Sequence, residues 1–128
     1  MQCNLKDILA LAESKGVAIP AFNCYNVESV MGVAQAARET GAPVIFQMFT
    51  RMMDTEFGTY VGAAIREAIK ELPVPAAMHL DHGAGIPQVL RALRLGCTSI
   101  MIDASTHPLD ENIAITRRSE ERRVGKEC

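Results

Sequence analysis

His79-Leu80-Asp81-His82-Gly83 brings two of the chain's 3 histidines beside an aspartate within five residues. The neutral imidazole nitrogen is a borderline-soft donor that suits zinc, and a catalytic zinc site takes three protein ligands and leaves one position open. One histidine cannot build that site alone. An adjacent aspartate works as acid or base when burial and a nearby cation set its pKa, and a metal supplies such a cation. Alternation along an extended strand sends His79 and Asp81 to one side and Leu80 to the other, and a turn at Gly83 releases His82 from the pattern. The competing reading is plainer: Asp81 and His82 cap the following helix and satisfy loop amides.

The elements around the motif decide whether it faces a pocket. Leu5, Ile8, Leu9 and Ala12 recur at helical spacing after the cap Asn4, and Gly16 stops that helix before an apolar run, Val17 to Phe22. A second helix starts near Asn26 with Val30, Val33, Ala34 and Ala37 on one face, ends at Thr40-Gly41, and is followed by a strand from Pro43 to Phe49. Thr59 to Glu71 is amphipathic, with Val61, Ala64, Ile65, Ala68 and Ile69 on its apolar face, and Val74 to Leu80 is a third strand. Val89, Leu90, Leu93 and Leu95 mark a helix that stops at Gly96, before a fourth apolar strand, Thr98 to Ile102. Apolar strands alternating with helices predict an α/β fold whose parallel sheet is covered on both faces, either a barrel or a doubly wound sheet. In both, the carboxyl ends of the strands form the ligand-facing rim, and His79-Leu80-Asp81-His82-Gly83 sits on it. A complete (β/α)8 barrel needs about 250 residues, so a barrel here would be unfinished.

Composition narrows the partners. A length of 128 residues with 48% hydrophobic and 22% charged residues is that of one ordinary globular domain, or part of one. A formal net charge of -2 with intermixed signs argues against a nucleic-acid surface. No apolar run approaches the roughly 18 to 20 residues of a membrane helix, and residues 1–6 lack the order of a signal peptide, so a cytoplasmic location is expected. Cys3, Cys24, Cys97 and Cys128 lie far apart and form no CxxC pair, which fits thiols in a reducing compartment. Leu109 and Ile113 begin a further apolar helical face, but no apolar residue continues it from Arg117 through Arg123. Arg118 to Cys128, RSEERRVGKEC, resembles the translation of a common sequencing-library adapter, so the native domain is expected to span 1–117 and the tail 118–128 to be non-native. A solvated, charged helix end is the alternative.

VPAAMHLDHG, Val74 to Gly83, resembles the third-strand motif of the class II fructose- and tagatose-bisphosphate aldolases. IPAFN at Ile19 to Asn23 resembles the family's first strand, APVIFQ at Ala42 to Gln47 its second, and GCTSIMIDAS at Gly96 to Ser105, with ENI at Glu111 to Ile113, its fourth. The resemblance covers nearly everything before Arg118. It implies a TIM (β/α)8 barrel of which about the first four β/α units are present, and a homo-oligomeric full-length parent in carbohydrate metabolism. That parent would reversibly cleave a ketose 1,6-bisphosphate, fructose or tagatose, to dihydroxyacetone phosphate and glyceraldehyde 3-phosphate.

By motif position the resemblance makes His82 a zinc ligand and Asp81 the acid/base that exchanges a proton with the C4 hydroxyl. Asp103 corresponds to a strand-four aspartate near the metal, and Asn23 to a strand-one asparagine at the substrate pocket. Zinc as a Lewis acid makes a lysine Schiff base unnecessary. Asp103 equally suits a residue that bonds loop amides, and Asn23 and Ser105 suit ordinary loop polar groups. His79 is either a support for the site or a buried, satisfied histidine, and His107 a loop residue. The family's other zinc ligands, its glycine-rich phosphate loop and the carboxylate that removes the carbon-bound proton fall beyond Thr116, so the chain alone is expected to be inactive. The pattern departs after the second strand: many members carry a small hydroxyl residue where this chain has Phe49-Thr50-Arg51-Met52-Met53. Two other readings stay open: a non-catalytic half barrel, and another metal-dependent barrel enzyme in which His79 and His82 are both ligands.

Overall fold

The structure, a computed structural model, describes the backbone of residues 2–124 and the side chains of residues 2–119. Cys128 and the end of the suspected tail lie outside the described residues. Helix α1 (Leu5–Lys15) opens on Asn4, whose side chain accepts from the Asp7 amide, and closes on Gly16 in the left-handed conformation. Strand β1 (Ala21–Asn23) precedes α2 (Val27–Thr40), which starts in a capping box between Asn26 and Ser29. Then come β2 (Val44–Phe49), a short α3 (Thr50–Met53), α4 (Glu56–Lys70), β3 (Ala76–Gly83), α5 (Ile86–Leu95), β4 (Ser99–Ile102) and α6 (Leu109–Val124).

The strands form one parallel sheet in the order β1-β2-β3-β4. Sequential order separates the two architectures the sequence allowed. Right-handed crossovers between successive neighbours all return on the same side, whereas a doubly wound sheet must reverse its order somewhere. The packing agrees: Val30 and Ala34 of α2, Val61, Ile65 and Ile69 of α4, and Val89 and Ala92 of α5 share one core with Phe46, Met48, Met78 and Leu80. The crossover helices α2, α4 and α5 thus cover one face of the sheet. The opposite face carries a smaller cluster in which Ile8 of α1 meets Ile45 and Ala77 near the amino ends of the strands. Toward the carboxyl ends that face turns polar, with Gln47 in register with His79 and Phe49 with Asp81.

Element boundaries moved where local signals misled. Val17 is 52% exposed and β1 begins only at Ala21, because pairing with β2 starts there. Helix α4 starts at Glu56, with the Thr55 hydroxyl accepting from the Gly58 amide. Helix α6 runs through Arg118 to Val124 in backbone. Among the described residues Cys3, Cys24 and Cys97 are thiols, and burial pushes the Cys24 thiol up to about 11. Among the described residues, no helix is long and apolar enough to cross a membrane.

Candidate active site

His79 and Asp81 lie on the sheet face turned away from the helical core. His79 is buried, with Nδ1 2.7 Å from the Ser99 hydroxyl of β4. Burial holds its pKa below the ordinary histidine value, against a weaker opposing pull from Asp81. Two residues on, the Asp81 side chain keeps 15% of its exposure. Its Oδ2 accepts from Asn23 Nδ2 at 2.9 Å, which ties the end of β3 to the end of β1. The other amide atom, Asn23 Oδ1, is buried with no hydrogen-bond partner among the described residues. An orphaned buried acceptor is costly.

His82 leaves the alternation through the backbone. The β3–β4 register shifts between Leu80 and Gly83, and His82 adopts a φ of 53°, the single positive value outside glycine among the described residues. A bulge of this kind re-aims a side chain at a strand end. Asp81 Oδ1 and His82 Nε2 consequently stand 3.9 Å apart. Gly83 allows the close approach: a Cβ there would lie 2.8 Å from Leu80 Cδ2 and 3.1 Å from the Met101 carbonyl oxygen. The Gly83 carbonyl accepts from the Asp103 amide at 2.9 Å, which fixes Asp103 beside the bulge.

Asp103 Oδ2 lies 2.7 Å from His82 Nδ1, and its Oδ1 accepts from the Ser105 amide at 3.0 Å. Hydrogen bonds from Ser105, then the one from His82, hold the Asp103 carboxyl well below the usual carboxylate range. The Asp103 hydrogen bond in turn raises His82 above the ordinary histidine value. With Nδ1 donating to the carboxylate, Nε2 keeps its lone pair, the arrangement by which a carboxylate orients a metal-binding imidazole. Phe49 meets the His82 ring edge-on, with centroids 6.2 Å apart. Among the described residues, no group of three or more His, Cys, Asp or Glu side chains could hold a metal ion. The described residues thus offer an oriented imidazole and no complete donor set. Helix capping does not explain the motif either, since α5 is preceded by Gly85 and has no side-chain cap.

A cleft of about 500 Å³ opens over this rim, lined by Phe49, Thr50, Arg51, His82, Asp103 and Thr106. The family model described as fructose-bisphosphate aldolase class-II matches residues 3–124. The chain belongs to the class II fructose-bisphosphate aldolase family. It is 35% identical over 116 residues to a fructose-bisphosphate aldolase of Giardia intestinalis, covering 90% of this chain and 36% of that protein. A 6-phospho-5-dehydro-2-deoxy-D-gluconate aldolase of Bacillus velezensis is also 35% identical over 116 residues, covering 88% of this chain and 40% of its own. The crystal structure of the YdjI aldolase from Escherichia coli K12 superposes with a TM-score of 0.87 at 31% identity, covering 94% of this chain and 47% of that one. The chain therefore spans less than half the length of these aldolases, and its fold is the corresponding part of their barrel.

Within this family frame, the rim brings together Asn23 with Asp81 and His82 with Asp103. His107 stays apart, paired with Glu111 at 3.1 Å. Sequence reasoning missed Ser99 as the partner of His79, because the β3–β4 register that joins them has no local signal. It also missed Thr50, whose hydroxyl accepts from the Ala84 amide at 3.4 Å and ties α3 to the loop after β3.

Proposed function

We propose that this chain is the amino-terminal half of a zinc-dependent enzyme that reversibly cleaves a phosphorylated ketose, with a fructose or tagatose 1,6-bisphosphate as substrate. The observation that carries the reading is the pairing of two hydrogen-bonded couples at one rim, Asn23 with Asp81 and His82 with Asp103. His82 would hold the metal, its ring oriented by the Asp103 carboxylate at Nδ1. When bound, zinc supplies the Lewis acidity that draws electron density from the ketose oxygens. Asp81 moves the proton: it takes one from the hydroxyl whose carbon becomes the aldehyde and returns it in the condensation direction. Asn23 holds the Asp81 carboxylate in place through Nδ2 and offers its unpartnered Oδ1 to a substrate hydroxyl.

Residues outside this chain complete the donor set, so the isolated chain binds zinc weakly and turns over no bisphosphate, and the full-length parent works as a cytoplasmic homo-oligomer. The loss of apolar residues from Arg117 through Arg123 supports reading 118–128 as non-native. Finding those codons in frame at the source locus, followed by a stop, would remove that reading.

The experiment is aldol cleavage of fructose and tagatose 1,6-bisphosphates by the full-length protein with zinc, with chelator, and as Asp81→Ala. Chelator-sensitive cleavage that drops about 100- to 10,000-fold in Asp81→Ala is expected, the span of general acid–base contributions. Chelator-resistant cleavage, or none of either sugar, rejects the proposal.

A further inference from the structure

Resting on that reading, we propose that Arg51 receives an anionic substituent on the aldehyde half of the substrate and sets a preference for it over neutral aldehydes. Arg51 belongs to the stretch that departs from the family pattern after β2 and is the sole arginine or lysine lining the cleft over His82 and Asp103 among the described residues. Its guanidinium has no ion pair and no hydrogen-bond partner among the described residues.

The surrounding groups explain why it stays free. Asp54, three positions on, accepts from Gln88 at 3.0 Å, and Asp103 is taken by His82 and Ser105. Arg91 shows the opposite condition: it donates to the Thr55 carbonyl at 2.9 Å and reaches the Thr59 hydroxyl at 3.4 Å. The neighbouring Thr50 hydroxyl accepts from the Ala84 amide at 3.4 Å, and the Met52 carbonyl accepts from the Thr55 hydroxyl at 2.8 Å, so contacts flank the turn that carries Arg51.

Position selects the substrate half. Arg51 lines the same cleft as His82, and His82 Nε2 stands 3.9 Å from Oδ1 of Asp81, the carboxylate that handles the aldehyde oxygen. A planar guanidinium binds phosphate and carboxylate alike through paired hydrogen bonds, so the shared feature is an anionic terminus.

The test uses the full-length protein in the condensation direction, with dihydroxyacetone phosphate and each of three acceptors varied in turn: glyceraldehyde 3-phosphate, a carboxylate-ended aldehyde, and neutral glyceraldehyde. Arg51→Met is expected to lower the anionic-over-neutral preference in kcat/KM by about ten- to a hundredfold, mainly through KM, the size of one lost charge-assisted contact. Arg51→Lys should restore much of that preference. Whichever anionic acceptor loses more identifies the group as phosphate or carboxylate. An unchanged preference in Arg51→Met, or a rise only in the KM for dihydroxyacetone phosphate, overturns the inference and leaves the aldolase reading standing. Failure of the unmodified protein to condense any acceptor removes both.

Discussion

His79 and His82 sit three residues apart on one strand and live in opposite surroundings. His79 faces the interior of the sheet, buried against Ser99, and its charged form is disfavoured by desolvation. His82 sits at the rim, paired with Asp103, and its charged form is favoured. The difference comes from one backbone event, the register shift between Leu80 and Gly83. A strand that kept strict alternation would place His82 on the helix-covered face with Leu80, because the two share the same parity. The bulge therefore turns a core position into a rim position at the cost of a left-handed residue, a strain of about 1–3 kcal/mol.

The contrast breaks most visibly in the metal. In the full-length protein His82→Ala should remove zinc and lower activity by at least about a thousandfold. His79→Ala should cost about ten- to a hundredfold, the usual effect of losing a supporting group. Metal content by elemental analysis, read beside kcat/KM, checks both. Equal loss of zinc from the two variants would favour the reading in which both histidines are ligands.

A subtler way to blur the two environments is to act on the bulge itself. Gly83→Ala places a methyl group 3.1 Å from the Met101 carbonyl oxygen and 2.8 Å from Leu80 Cδ2. The leucine tip can turn away, but the carbonyl belongs to the paired strand and moves only with it. Overpacking of this kind should destabilise the full-length protein by about 1–3 kcal/mol and loosen the His82–Asp103 contact as β4 shifts. Chemical denaturation measures the first effect and zinc affinity the second. Wild-type values for both would show that the close approach at Gly83 does not hold the site.

How far these features could be seen in the sequence follows from the range of the interactions that make them. Asn4, Gly16, Asn26 and Gly41 act within one helical turn, so the ends of α1 and α2 were legible. The apolar runs announced parallel strands, but sheet order is a property of the whole chain, and it separates the barrel from the doubly wound alternative. Strand β3 reaches Gly83, beyond the expected Leu80, because its hydrogen bonding to β4 resumes after the bulge. His82 and Asp81 were legible as a motif. Their partners are only partly so: Asn23 and Asp103 stand in recognisable motif positions, but the bonds that join them to Asp81 and His82 span 58 and 21 residues, and no local pattern encodes those pairings.

The smallest expected effect is also the most direct reading of the two environments. Both histidines start from an ordinary value of 6.5, and NMR titration should find His79 below it and His82 above it. Folding linkage then has opposite signs. His79 has a depressed folded pKa, so its contribution to stability is complete above the unfolded value and is lost as pH falls toward the folded one. His82 has a raised folded pKa, so its contribution is present below the unfolded value and is lost as pH rises through the folded one. Because His82 is solvent-exposed, screening keeps its share small. Asp103→Asn removes the charge that favours imidazolium and should bring the His82 titration back toward the ordinary value while leaving His79 in place. Ser99→Ala should do the reverse, disturbing the buried ring and sparing the exposed one. If either substitution moved both titrations together, the bulge would not be separating the two sites, and the division of labour between His79 and His82 would have to be abandoned.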